Sequence, residues 1–152
     1  MNTELINWLG SLIFFSGLLR LSIIDWKTYR LPNIWTMPLV VLGLIYNFNV
    51  SLDLYPYLLG AVLGYAIFWA LETVYRLIRK RDGLGRGDAK LLAVGGAWCG
   101  ALALPFIILI ASSAGLIYIL MQPAETRGNI KLPFGPFLSA AIAITFLTLK
   151  FV

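Results

Sequence analysis

Gly83-Leu84-Gly85-Arg86-Gly87-Asp88-Ala89-Lys90-Leu91-Leu92 gathers glycines, cations and a carboxylate between two strongly apolar stretches of the chain. Three of its first five residues are glycine, so the backbone there can adopt positive φ and let another chain approach closely. Asp88 stands at the mouth of the apolar run that follows. An aspartate entering hydrocarbon costs roughly 2.5 to 3.5 kcal/mol on insertion scales, which makes such a residue a functional candidate by default. Two readings follow from the local residues alone: a site, or a solvated loop whose aspartate caps the next helix, a position Asp favours.

Working outward, 60% of the residues are hydrophobic and only 12% are charged, a balance that cannot cover the surface of a soluble globular domain. The chain is an integral membrane protein of the all-α class. At about 20 residues per transmembrane helix, residues 1–152 predict a single domain of six spans with short loops and no second, soluble unit. A formal charge of +5 would suggest nucleic acid in a soluble protein. Here the cations lie between apolar runs, where they set topology and meet anionic lipid, so no nucleic-acid partner is implied.

The residue types missing from the sequence narrow the chemistry further. Met1-Asn2-Thr3-Glu4 has no cationic n-region and the first apolar run ends in Asp25 rather than a small-residue cleavage site; that run is expected to stay attached. The single cysteine, Cys99, lies inside an apolar run and reads as packing. With one cysteine and no histidine, Ser-His and Cys-His nucleophile pairs, His-ligated metalloproteases and Cys-based zinc sites are excluded. Any hydrolysis must be done by carboxylates.

In chain order, the first apolar run covers residues 5–24, with Arg20 about 7.5 Å of helix rise before Asp25 and able to snorkel to the interface. Asp25 to Asn33, with Lys27, Arg30, Trp26, Tyr29 and Pro32, reads as a short loop at a membrane surface. Residues 34–48 form a short second run holding Pro38, which predicts a tilted or partly shielded helix. Asp53 reads as solvated. The third run begins near Tyr57, after Pro56 in its first turn, and reaches Ile78. Within it Gly60 and Gly64 have the small-xxx-small spacing of close helix packing, and Glu72 and Arg76 the spacing of an i,i+4 ion pair. A fourth run from Asp88 to Leu104 carries Gly95, Gly96 and Gly100. Pro105 opens a fifth that reaches Met121, and Leu132-Pro133-Phe134-Gly135-Pro136 opens the last.

Six spans place the first, third and fifth loops on one face. Lys27, Arg30, Arg76, Arg79, Lys80, Arg81, Arg86, Lys90, Arg127 and Lys131 fall there, against Lys150 opposite. The positive-inside rule makes that face cytoplasmic and puts both termini outside. Asp25 and Asp88 then share the cytoplasmic boundary and meet wherever the first and fourth spans pack together. Two close carboxylates do not both ionise easily, so one keeps a proton while the other acts as base on a water molecule. That is the aspartic-protease mechanism, and it requires no metal, histidine or cofactor.

Gly85-Arg86-Gly87-Asp88-Ala89-Lys90-Leu91 resembles the Gly-x-Gly-Asp-x-Lys-Leu motif of the type IV prepilin peptidases, and Gly95-Gly96-Ala97-Trp98 extends it. Asp25 followed by Leu31-Pro32-Asn33 is similar to that family's first catalytic region, and Pro133-Phe134-Gly135-Pro136 resembles its last-helix motif. The likeness covers almost the whole chain. It implies a six-helix membrane-embedded aspartic endopeptidase that removes the short basic leader from prepilins and pseudopilins on the cytoplasmic side, in the inner membrane. It places Asp25 and Asp88 in the catalytic positions, with no cofactor. Gly85 and Gly87 would let the motif backbone reach the substrate, while Lys90 holds Asp88 or a carbonyl, or else contacts a headgroup. Pro133 and Gly135 either line the site or begin the sixth helix with a fixed φ. The paired Cys-x-x-Cys insertion that longer members carry, associated with N-methylation, has no counterpart in these residues, which predicts a peptidase without methyltransferase activity.

Two other classes fit parts of the sequence. In one, the chain is a non-enzymatic transporter subunit or assembly scaffold with the aspartates as ion ligands or caps. In the other, a phosphatidyltransferase, Asp82-Gly83 with Arg86 and Asp88 would bind metal and lipid phosphate, but the two early aspartates around a DG-x-x-A-R core are missing.

Overall fold

The computed structural model describes residues 3–51, 53–79, 86–123 and 132–151. They form six α-helices: α1 (Thr3–Thr28), α2 (Asn33–Ser51), α3 (Tyr55–Arg79), α4 (Arg86–Cys99), α5 (Leu104–Met121) and α6 (Gly135–Phe151), with a 3-10 turn at Ala101–Ala103 before α5. No strand occurs among the described residues. The all-α membrane class is the one the composition requires. Gly85, Asp82, Gly83, Arg127 and Lys131 lie outside the described residues.

Several boundaries differ from the sequence reading, each for a local reason. α1 runs on through Asp25 to Thr28, so this aspartate sits in the last turn of a helix, not in a loop. α2 continues past Asn47 and Asn49 to Ser51, with Pro38 inside it. α3 starts at Tyr55, where the Asp53 carboxylate accepts a hydrogen bond from the Tyr55 backbone N–H at 3.1 Å. α4 begins two residues before Asp88 and ends at Cys99, well short of Leu104. Gly100, at φ 86°, breaks it, since a positive φ is inexpensive for glycine and would strain a residue with a Cβ. Asp88 is therefore not the N-cap of α4 but a member of its first turn.

Four segments are long and apolar enough to cross a membrane: Glu4–Thr28, Asn33–Ser51, Tyr55–Ile78 and Ala101–Met121. α6 is a shorter apolar helix. The 14 residues of α4 span only about 21 Å at 1.5 Å per residue, less than a hydrocarbon core of about 30 Å. Its surroundings explain how so short a helix is accommodated. Every residue from 91 to 100 is buried, because α4 is the axis on which α3, α2 and α6 pack.

The glycines make that packing possible. A Cβ on Gly60 would lie 2.5 Å from the Gly96 carbonyl oxygen, and one on Gly64 would lie 2.6 Å from the Leu92 carbonyl oxygen. The α3 and α4 backbones thus touch, as the small-residue spacing predicts. On the α2 side the Trp98 indole covers Gly43 and its Nε1 donates to the Leu39 carbonyl at 2.8 Å. Buried Asn47 donates through Nδ2 to the carbonyls of Ala97 at 2.9 Å and Trp98 at 3.3 Å. These carbonyls end α4 without the full set of helical partners, so a side chain from the neighbouring helix supplies donors they would otherwise lack. Phe14 of α1 joins the same core, its ring 4.5 Å from Trp98 and 4.6 Å from Phe146.

Outside this core, large apolar side chains face away from the protein. Leu12, Ile34, Leu77 and Leu109 are all more than half exposed, which in a chain with crossing helices is the lipid-facing surface. Glu72 and Arg76 form the i,i+4 ion pair at 2.5 Å.

Candidate active site

Three chain segments converge at one end of α4. The first is the last turn of α1, which carries Asp25. Tyr29, at φ 52°, closes that helix with a left-handed turn, its N–H bonded to the Asp25 carbonyl at 2.8 Å. The chain reverses there, a role more often filled by glycine. Leu31 and Pro32 follow, and the Pro32 carbonyl accepts from the N–H groups of Trp35 and Thr36 at 3.2 and 3.3 Å, starting α2.

The second segment is the first turn of α4. A Cβ on Gly87 would lie 2.9 Å from the Leu31 side chain, so the small residue lets the α1–α2 turn seat against α4. One turn further on, the Lys90 ammonium donates to the side-chain carbonyl oxygen of Asn33. Leu31 on Gly87 and Asn33 on Lys90 together fasten the segment after Asp25 to the helix that carries Asp88.

The third segment is the start of α6. Pro133 is buried, and Phe134 packs its ring 6.3 Å from Phe68 of α3. Leu138 donates to the Phe134 carbonyl at 3.0 Å, opening the helix. The Gly135 backbone N–H donates to Oδ2 of Asp25 at 2.9 Å. A Cβ on Gly135 would lie 2.5 Å from that oxygen. Gly135 thus does both things the sequence left open, beginning the helix and facing the site. The free N–H groups of a helix start also favour negative charge nearby.

Both aspartates are withdrawn from water, Asp25 being 5% and Asp88 8% exposed. Asp88 stands in the first turn of α4, outside the four segments long enough to cross. Burial first, and the charge of Asp25 second, push its carboxyl up from the ordinary value to about 7. The two groups therefore act on each other electrostatically, although they come from helices far apart in sequence. Such a pair can share one proton, with one member as acid and the other as base.

The sequence offered no indication that Asn33 would receive Lys90, or that Asp25 would be held by a backbone N–H of α6. The first was hidden because an asparagine before a helix reads as a turn residue. For the second, the only clue was a glycine between Phe134 and Pro136, where a helix start needs no glycine.

Taken together, fold and site define a polytopic helical membrane protein with two interacting aspartates buried at one end of its central helix. The model of the type IV leader peptidase family matches residues 12–120, and the chain belongs to that family. It is 43% identical over 129 residues to the prepilin leader peptidase/N-methyltransferase of Escherichia coli K12, covering 84% of this chain and 57% of that protein. It is 42% identical over 140 residues to the protein of the same name from Neisseria gonorrhoeae, covering 91% and 48% respectively. The Pseudomonas aeruginosa protein of that name is 40% identical, over 82% of this chain and 44% of its own. The chain spans about half the length of the curated relatives it matches. No solved structure matches it.

Proposed function

We propose that residues 1–152 form a transmembrane aspartic endopeptidase domain that removes the leader peptide from type IV prepilins or pseudopilins, with Asp25 and Asp88 as the catalytic pair. The observation that carries this reading is the burial and mutual interaction of the two aspartates in a chain of the leader peptidase family.

In this reading Asp88, whose carboxyl is pushed up to about 7 by burial and by the charge of Asp25, holds the starting proton, and Asp25 is the carboxylate that accepts from the Gly135 N–H. A water molecule between them attacks the scissile carbonyl carbon and gives its proton to Asp25, while Asp88 protonates the carbonyl oxygen. The tetrahedral intermediate then collapses. Its hydroxyl proton returns to Asp88, the C–N bond breaks, and the proton on Asp25 passes to the leaving amine. Every proton is accounted for without a metal or cofactor. Gly87, Lys90, Pro133 and Gly135 border the place the substrate backbone would occupy, while Gly85 lies outside the described residues. In this reading Gly87 and Gly135 serve through their main chain, and Lys90 through its hold on Asn33.

The site is assigned to the cytoplasmic face of the inner membrane, supported by the cations that the sequence gathers in the first, third and fifth loops. Thr28 and Ser51, both exposed, test this as Thr28→Cys and Ser51→Cys in a Cys99→Ala background. Ser51→Cys is expected to react with an impermeant thiol reagent added outside intact cells, and Thr28→Cys only after lysis; labelling of Thr28→Cys from outside overturns the assignment.

The peptidase reading includes an unmethylated product, since the described residues are taken up by helices and short connections. Purified protein in liposomes, given a prepilin precursor and S-adenosylmethionine, is expected to yield a product shorter by the leader alone. Mass spectrometry decides both points. An uncut precursor would overturn the peptidase, and a methyl-sized increase on the new N-terminus would overturn the second claim only.

A further inference from the structure

Arg20 is a guanidinium in a membrane-crossing segment that the chemistry of the aspartates does not use. It lies in α1, about 12 Å of helix rise before the helix end. Its Cζ stands 4.2 Å from the centroid of the Trp35 ring. Trp35 belongs to the first turn of α2, so the long Arg20 side chain reaches back toward the end of the bundle where the α1–α2 turn emerges. This is snorkelling with a fixed end point. Arg20 forms no ion pair with a carboxylate among the described residues.

The surroundings define what the guanidinium meets. Leu19 and Ile23, within one turn of Arg20 on α1, and Ile34, next to Trp35, are 65%, 48% and 74% exposed, and Arg20 is itself exposed. That is a lipid-facing surface, where water is scarce and an uncompensated cation costs about 2.5 to 3.5 kcal/mol. One face of the guanidinium is covered by the indole, a cation–π contact, and the exposed side chain keeps its N–H groups available to a partner outside the protein. Lys27, exposed and two helical turns further on the same face of α1, adds a second cation nearer the water.

We propose that Arg20 and Trp35 form a site for the phosphate of an anionic phospholipid in the leaflet on the Asp25–Asp88 side, with Lys27 at headgroup level. An arginine fork matches phosphate geometry through two parallel N–H···O bonds, and each cation near the surface adds attraction for anionic lipid. The occupant is a lipid and not a free anion, because the site opens onto apolar side chains that acyl chains would cover. The inference does not depend on the peptidase reading, and its readout is lipid binding.

The test is native mass spectrometry of the protein released from nanodiscs of equal phosphatidylglycerol and phosphatidylcholine. Wild type is expected to retain one phosphatidylglycerol in preference to phosphatidylcholine. Arg20→Gln is expected to lower that retention about tenfold, a loss of about 1.4 kcal/mol, and Arg20→Lys, which keeps charge without the fork, to fall between. Helicity by circular dichroism and melting temperature in detergent should be unchanged in both, showing that they fold. Equal retention by wild type and Arg20→Gln overturns the site. So does displacement of the retained lipid by millimolar inorganic phosphate, which would make it a free-anion site.

Discussion

Asp25→Asn and Asp88→Asn are each expected to lower leader cleavage by roughly 10³-fold, within the range for removing a positioned acid or base, while the protein still inserts and folds. Asparagine keeps the size of the side chain, and at position 25 its amide oxygen can still accept the Gly135 N–H. What it cannot do is exchange a proton. The two variants should nevertheless differ in stability. The Asp88 carboxyl titrates near 7 in the folded chain and near 3.9 when unfolded, so between those values the folded state binds more protons. Stability of the wild type must then fall as pH rises through this window and level off above it. Asp88→Asn removes that dependence and should become the more stable protein above about pH 7. Wild-type cleavage should also decline as pH rises past about 7, because the acid loses its proton. Cleavage assays and thermal unfolding from pH 5 to 9 measure both. Near-normal turnover by either folded variant would remove the dyad from the mechanism.

The helices were legible because their signals are local. Composition required a membrane protein, apolar runs marked the helices within a few residues of their ends, and Gly60 and Gly64 announced close helix packing, whose partner the structure shows to be α4. The shortness of α4 was not legible. Its apolar pattern runs uninterrupted through Leu104, and only the tertiary backbone shows that Gly100 takes a positive φ there. Asp25 was read as a loop residue for the opposite reason. A charge followed by aromatics looks like an interface, yet α1 continues to Thr28 with Asp25 buried and bonded to the start of α6 while Trp26, Lys27 and Thr28 stay exposed. In the site, the two aspartates stood out as carboxylates at the edges of apolar runs. The residues that hold them did not. The Gly135 N–H holds Asp25 and Asn33 receives Lys90 two residues from Asp88, both across helices, and a hydrogen bond between positions as distant as 25 and 135 leaves no periodicity to detect.

Gly135→Ala is expected to reduce cleavage by about 10²-fold, the scale of a misplacement near 1 Å, without lowering the melting temperature. In most helices this exchange is mildly stabilising, because alanine has the higher helix propensity and the smaller backbone entropy to lose. Here the added methyl would stand 2.5 Å from Oδ2, 2.8 Å from Cγ and 3.0 Å from Cβ of Asp25. All three atoms belong to one side chain, which can relieve the overlap by turning away from α6. In doing so it gives up the 2.9 Å bond from the Gly135 N–H and its bearing on Asp88. The fold keeps its core, since Leu138 and Ile142 of α6 remain buried in it, and the loss falls on the chemistry. Gly115→Ala is the matched control: its methyl would meet Leu132 at 3.4 Å and Phe134 at 3.7 Å, ordinary contact with the segment leading to the same site. It should cut at close to the wild-type rate. A Gly135→Ala protein as active as that control would show that the carboxylate position set by α6 is irrelevant to cleavage, and Asp25 would lose its place in the catalytic pair.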